Sequence, residues 1–148
     1  MVKGYKALDS NMRTIYGNGM TYELGKWYKI NGKIKPCKNG FHFCEKIENI
    51  QVYYNLFHSR LFEIEADGEI RDACNYIVES IGTVTVCSRI RLVREILPEE
   101  WQTEKNLLRI LKIDGLAIQY IKSPTIEMQL EAVKRDGYAI QFIEKTKL

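Results

Sequence analysis

Thr83-Val84-Thr85-Val86-Cys87-Ser88-Arg89-Ile90-Arg91-Leu92-Val93-Arg94-Glu95-Ile96, followed by Leu97-Pro98-Glu99-Glu100, is where the chain changes character. Up to Ile96 it reads as a strand. Val84, Val86, Ile90 and Leu92 are expected on one face, and Thr83, Thr85, Arg89 and Arg91 on the other. Beyond Pro98 the apolar period lengthens to about 3.6 residues, that of a helix. A proline followed by two acids marks a helix start, because the first turn exposes free N–H groups and the positive end of the dipole. The junction predicts an α+β chain. Residues 1–97 form a domain on a small mixed or antiparallel β-sheet, and residues 98–148 form a helical tail.

Upstream, Leu61-Phe62-Glu63-Ile64-Glu65-Ala66 alternates in the same way, with Phe62, Ile64 and Ala66 facing inward and Glu63 and Glu65 outward. Asp67-Gly68 is expected to turn the chain. Residues 4–8 read as a short strand. Asn31-Gly32 lies between residues 27–30 and 33–35, the pattern of a hairpin closed by a type I′ turn. Gly40-Phe41-His42-Phe43-Cys44 reads as a strand with Phe41 and Phe43 on one face and His42 and Cys44 on the other. Ile47, Ile50, Tyr54 and Phe57 recur at steps of three and four, which predicts a helix with one apolar stripe.

Downstream, the tail repeats itself at an offset of 22 residues. Asp114-Gly115-Leu116-Ala117-Ile118-Gln119-Tyr120-Ile121 returns as Asp136-Gly137-Tyr138-Ala139-Ile140-Gln141-Phe142-Ile143, and Leu108, Leu111 and Lys112 return as Leu130, Val133 and Lys134. Each unit is expected to be a helix, a glycine break and a shorter second helix. Gly115 and Gly137 fit the left-handed position after a helix end, and Ser123 the N-cap of the next helix. Such units bury their apolar faces only by stacking, and arrays usually need about three of them. The tail is therefore expected to dock on the first domain or to complete itself against another protein.

The net charge of +3 over 148 residues conceals an asymmetry. Residues 1–60 carry ten Lys and Arg against four acids, and residues 61–100 carry four Arg against nine acids. The basic first segment suits an anion, a nucleotide or an acidic partner surface; the plainer alternative is a solvated surface balanced by the acidic middle. No basic run interleaved with aromatics is present, so sequence-specific nucleic-acid binding is not indicated. The first residues lack an apolar signal region, and no apolar run approaches the roughly 20 residues of a membrane span. A cytoplasmic protein is expected. Cys37, Cys44, Cys74 and Cys87 are then reduced thiols. Cys37, His42 and Cys44 raise the question of zinc, but their spacing is irregular and no second pair exists, so no metal is expected.

Some side chains carry possible chemistry. Glu63 and Glu65 share a strand face and could form an acid pair in a cleft, or simply its wet side. His42 could stack on or hydrogen-bond a ligand beside Tyr5, Tyr53 or Tyr54, or be a satisfied structural histidine. Cys44 would need His42 as a base to act as a nucleophile, and no third orienting group is visible.

Gly4-Tyr5-Lys6-Ala7, Tyr22-Glu23-Leu24-Gly25-Lys26, Gly40-Phe41-His42-Phe43-Cys44-Glu45, Glu63-Ile64-Glu65-Ala66 with Gly68-Glu69, and Ile90-Arg91-Leu92-Val93-Arg94-Glu95 together resemble a family of phage- and prophage-associated domains of unknown function. The tail resembles short helical repeats of bacterial and phage-encoded proteins. The resemblance implies a protein made in the cytoplasm of a host bacterial cell. There it would bind and block a host protein or ribonucleoprotein complex, such as a defence component, in the manner of an anti-CRISPR inhibitor. The surfaces expected to do so are the 98–148 tail and the basic 1–60 segment, with no cofactor.

A more distant resemblance joins the order of elements to the catalytic core of ADP-ribosyltransferases. Gly40-Phe41-His42-Phe43 leads into the helix bearing Tyr53 and Tyr54, then the strand at 61–66, then Asn75-Tyr76-Ile77-Val78. It implies the alternative function, an enzyme, active or degenerate, that uses NAD to modify a host target. Tyr5, His42 and Tyr54 would then hold the cofactor, and His42, Glu65 and Asn75 would be the catalytic candidates. The family's His-Gly step is absent, and His42 stands where a stacking tyrosine is usual. Asn75 (or Glu79 with a shift) replaces the glutamate. An asparagine cannot supply the negative charge that stabilises an oxocarbenium-like centre.

Overall fold

The computed structural model describes residues 1–15, 19–35, 38–73 and 84–143. The chain divides into two compact units, Met1–Pro98 and Glu99–Leu148. The first is an α+β unit on an antiparallel sheet of β1 (Val2–Leu8), β2 (Tyr28–Lys29), β3 (Phe41–Phe43), β4 (Arg60–Ala73) and β5 (Val84–Ile96). The strand order is β1-β4-β5-β2, and β3 also pairs with β5. The long β4–β5 pair is its spine, with Phe62, Ile64 and Ala66 opposite Glu95, Leu92 and Ile90. One face of the sheet carries the core: Leu8, Phe62, Ile64, Ala66, Cys87, Ile90 and Leu92, covered by Tyr22, Phe41 and Phe43.

Several expectations are corrected here. Asp67-Gly68 is not a turn, since β4 runs through it to Ala73 with a bulge between Asp67 and Ile70. Gly68 makes the bulge possible: its φ is +76°, and a Cβ there would lie 2.2 Å from Ser88 Oγ. That hydroxyl instead accepts a bond from Glu69 N at 2.8 Å. Across this irregularity the sheet faces exchange, so Cys87 rather than Val86 joins Ile90 and Leu92, and Val86 packs with Ile34 on the other side. Residues 27–30 and 33–35 do not form a hairpin. Tyr28–Lys29 pairs with Arg89 and Ile90 of β5, and Ile34 is drawn into the core beside Val86. The expected helix over 47–57 is broken. α1 spans only Ile47–Ile50, and a 3₁₀ turn follows at Leu56–His58. Gln51 and Asn55 take up the N–H groups of Leu56 and Phe57 at 2.9 and 3.2 Å, offering the backbone an alternative to helix.

The second unit shows the duplication in three dimensions. After α2 (Pro98–Trp101), α3 (Glu104–Ile113) and a 3₁₀ helix at Gly115–Tyr120 are repeated as α4 (Ile126–Arg135) and a 3₁₀ helix at Gly137–Phe142. The threonines at matching positions are the caps: Thr103 Oγ1 accepts from Asn106 N and Thr125 Oγ1 from Met128 N, both at 3.2 Å. Thr125 therefore replaces the expected Ser123, because a cap must reach the N–H two or three residues into the helix, which starts at Ile126. Gly115 and Gly137 are not left-handed. The residues before them, Asp114 and Asp136, are extended (φ −135° and −146°) and turn their carboxylates onto the N–H of Leu116 and Tyr138 at 3.2 and 3.0 Å. No described helix is long and apolar enough to cross a membrane.

Candidate functional site

The two segments Gly4-Tyr5-Lys6 and Gly40-Phe41-His42-Phe43-Cys44 are brought together. Tyr5 and Cys44 exchange backbone hydrogen bonds, Tyr5 N to Cys44 O at 2.7 Å and Cys44 N to Tyr5 O at 3.0 Å. Gly4 permits this approach, since a Cβ there would stand 2.6 Å from the Phe43 ring and 2.8 Å from Cys44 O. Lys6 alternates with Tyr5 along β1 and points to the core face, opposite Phe62. It is buried, and its Nζ donates to His42 O at 2.6 Å and lies 5.7 Å from the centre of the Tyr22 ring.

A lysine in apolar surroundings is driven toward its neutral form. Burial lowers the Lys6 pKa to about 8, against the opposing pull of Cys87 and Cys44. The same burial pushes Cys44 up to about 12 and Cys87 up to about 11. A thiol so disfavoured as thiolate is a poor nucleophile, which weighs against the Cys44–His42 pairing considered above. Tyr22 is raised by burial and then by Cys87, Tyr28 and Tyr54, so Tyr54 belongs to the same neighbourhood. His42 is half-buried and held below the usual histidine range, first by burial and then by the Lys6 charge. Its carbonyl receives the Lys6 ammonium. Lys6 and Tyr22, to which the sequence pattern assigns no chemistry, thus meet the His42 carbonyl with Tyr54 nearby, whereas the Tyr5 side chain falls on the opposite face, across from Glu63, and joins only through its main-chain bonds to Cys44.

Glu65 lies elsewhere, on the opposite side of the β4–β5 spine. Cross-strand register sets Glu63 against Arg94, Glu65 against Arg91 and Asp67 against Arg89, closing ion pairs at 2.7, 3.1 and 2.8 Å. Arg89 and Arg91 both lie over the Trp27 ring, 3.9 and 4.8 Å from its centre. Glu63 and Glu65 are each held by an arginine. Asn75, Glu79, Cys37 and Cys74 lie outside the described residues. Among the described residues, no group of three or more His, Cys, Asp or Glu side chains is placed to hold a metal ion.

The second unit ends in an apolar surface. Leu130, Tyr138, Ile140 and Phe142 are exposed there, Tyr138 at 78% and Ile140 at 57%. Large exposed apolar side chains gathered in one short segment are a feature of interaction sites.

One family model, described as "Domain of unknown function (DUF7666)", matches residues 2–103. Comparison with curated proteins and with solved structures finds no match.

Proposed function

The chain belongs to this family of domains of unknown function, and from that premise we propose that it is a binding protein, made by a phage or prophage. It acts in the cytoplasm of the bacterial host by occupying a host protein or ribonucleoprotein complex, a defence component in particular. The observation that carries this reading is the apolar end of the tail, where Leu130, Tyr138 and Ile140 stand in water. Exposing that much apolar surface costs solubility without contributing stability, and burial against a partner recovers about 25 cal/mol for each Å². The basic 1–60 segment, ten Lys and Arg against four acids, supplies a field that steers an acidic partner.

The test starts with affinity capture from a bacterial lysate and continues with the captured component purified and titrated. The native chain is expected to bind at one to one. Leu130→Asp with Ile140→Asp should weaken binding by about a hundredfold or more, as loss of a buried apolar hot spot does. His42→Ala and Glu65→Gln should bind as the native chain does. The parallel arm incubates the chain with labelled NAD and lysate. Label transfer or NAD loss that disappears in His42→Ala would contradict the binding reading and favour the transferase.

A further inference from the structure

The tail contains both a filled and an open copy of one surface. Gly115 is buried, and a Cβ built on it would stand 2.3 Å from Ala132 O and 3.2 Å from both Cβ and N of Asp136, so α4 packs directly on its backbone. Arg135 Nε reaches back to Ile113 O at 3.1 Å. Ile118 and Leu111 of the same unit are buried, at 2% and 0% exposure.

Twenty-two residues on, Asp136, Gly137 and Ile140 return in the places of Asp114, Gly115 and Ile118, with Val133 for Leu111. Asp136 has the backbone conformation of Asp114 and the same side-chain cap, so the two surfaces share a shape. Here nothing among the described residues lies within 4 Å of a Cβ on Gly137. The counterpart of Ile118, Ile140, is exposed, and Val133 is only half-buried where Leu111 is buried. A glycine whose missing side chain makes room for nothing among the described residues, at a position where its counterpart makes room for a helix, marks an open seat.

We propose that the face formed by Leu130, Val133, Gly137, Tyr138 and Ile140 receives a helix of the same repeat type supplied by the partner protein. This deepens, and rests on, the binding reading. The filled copy specifies the guest. It is an amphipathic helix with a small residue whose carbonyl sits over Gly137, and an arginine three positions later that donates to the Arg135 carbonyl, as Ala132 and Arg135 do one unit earlier. A second copy of this chain does not supply it. Its α4 is already engaged with Gly115, and α3 carries Ile110, fully buried, at the position of Ala132.

The experiment gives the chain a guest of known sequence. A copy of residues 122–143 is joined directly after Ile143, in place of residues 144–148, so that the third unit arrives in register. Its docking should raise the midpoint of thermal unfolding by about 4 °C or more. Gly137→Ala should leave the natural chain unchanged or slightly more stable, yet lower the midpoint of the extended chain by several degrees, since the new Cβ meets the guest's carbonyl. The extended chain should bind the purified partner about tenfold or more weakly, while a Gly-Ser tail of equal length leaves binding intact. An unchanged midpoint, or Gly137→Ala neutral in both chains, overturns the seat. A docked third unit with unimpaired partner binding overturns the partner helix as its occupant, leaving the binding reading standing. A dimer of the natural chain by light scattering, dissociated by Gly137→Leu, would assign the seat to a second copy and overturn the proposal in that way.

Discussion

Lys6→Met removes the one lysine that the core encloses among the described residues. With the ammonium buried, the Lys6 pKa falls from 10.5 to about 8. At 1.36 kcal/mol per unit, holding the charged form in the folded state costs about 3 kcal/mol relative to the unfolded chain below pH 8. Methionine keeps the apolar stem and fills similar space. The His42 carbonyl loses its donor, which offsets about 1–2 kcal/mol of that gain. Lys6→Met should therefore stabilise the protein by roughly 1–2 kcal/mol at pH 7, read from urea unfolding. The pH dependence supplies a second reading. Because the folded pKa is depressed, the unfolded chain holds more protons between pH 8 and 10.5, so this group makes stability rise with pH across that window. Cys44 and Cys87 act in the opposite sense. Their folded values of about 12 and about 11 lie above the ordinary 9, so their contribution is full below pH 9 and is lost above it. The cysteine contributions are common to both chains, so the stability difference between Lys6→Met and the native chain isolates Lys6 and should narrow by about 1 kcal/mol from pH 8 to 9. A difference between the two chains that does not change there, together with a destabilised Lys6→Met, would refute the reasoning.

Gly115→Ala drives a Cβ to within 2.3 Å of a backbone carbonyl and should destabilise the tail by about 3 kcal/mol or more, seen as early loss of amide protection over α4, whereas Gly137→Ala should not. Gln129 is buried with Oε1 unbonded, and the first unit has Leu107 at its place, so Gln129→Leu should raise stability by about 1 kcal/mol in denaturant titration. Arg60 grips Glu95 through two bonds at 2.8 and 2.7 Å, and that hydrogen bonding first of all holds the Glu95 carboxyl below its usual value. Its contribution is present above pH 4.5 and lost on acidification, so Glu95→Gln should cost up to about 1 kcal/mol at pH 7 and flatten the acid limb.

Much of the fold is legible in side-chain alternation. Phe62, Ile64 and Ala66, and Ile90 and Leu92, declare one buried face, and the period shift at Pro98 declares the tail. The 22-residue repeat is visible as self-similarity, because equal units need equal side chains. What stays hidden depends on distant partners. Asp67-Gly68 has the composition of a turn, and only the Ser88 hydroxyl across the ladder makes it a bulge. Ile34 is captured by Val86, far along the chain, which undoes the local hairpin preference of Asn31-Gly32. A single lysine in a strand reads as its wet face. Lys6 becomes a core residue only because the His42 carbonyl and the Tyr22 ring close over it. Glu65 looked like an acid free to react because a lone strand cannot show that Arg91 stands opposite. The difference between Gly115 and Gly137, identical in sequence, is wholly a matter of what packs against them.

The central claim is that the open end of the second repeat is where the protein meets its target. Amide hydrogen exchange of the full chain, alone and saturated with the purified partner, tests it most directly. New protection should concentrate in residues 126–143, strongest around Gly137 and Ile140. Protection confined to the sheet unit, with the tail exchanging as in the free protein, would contradict it.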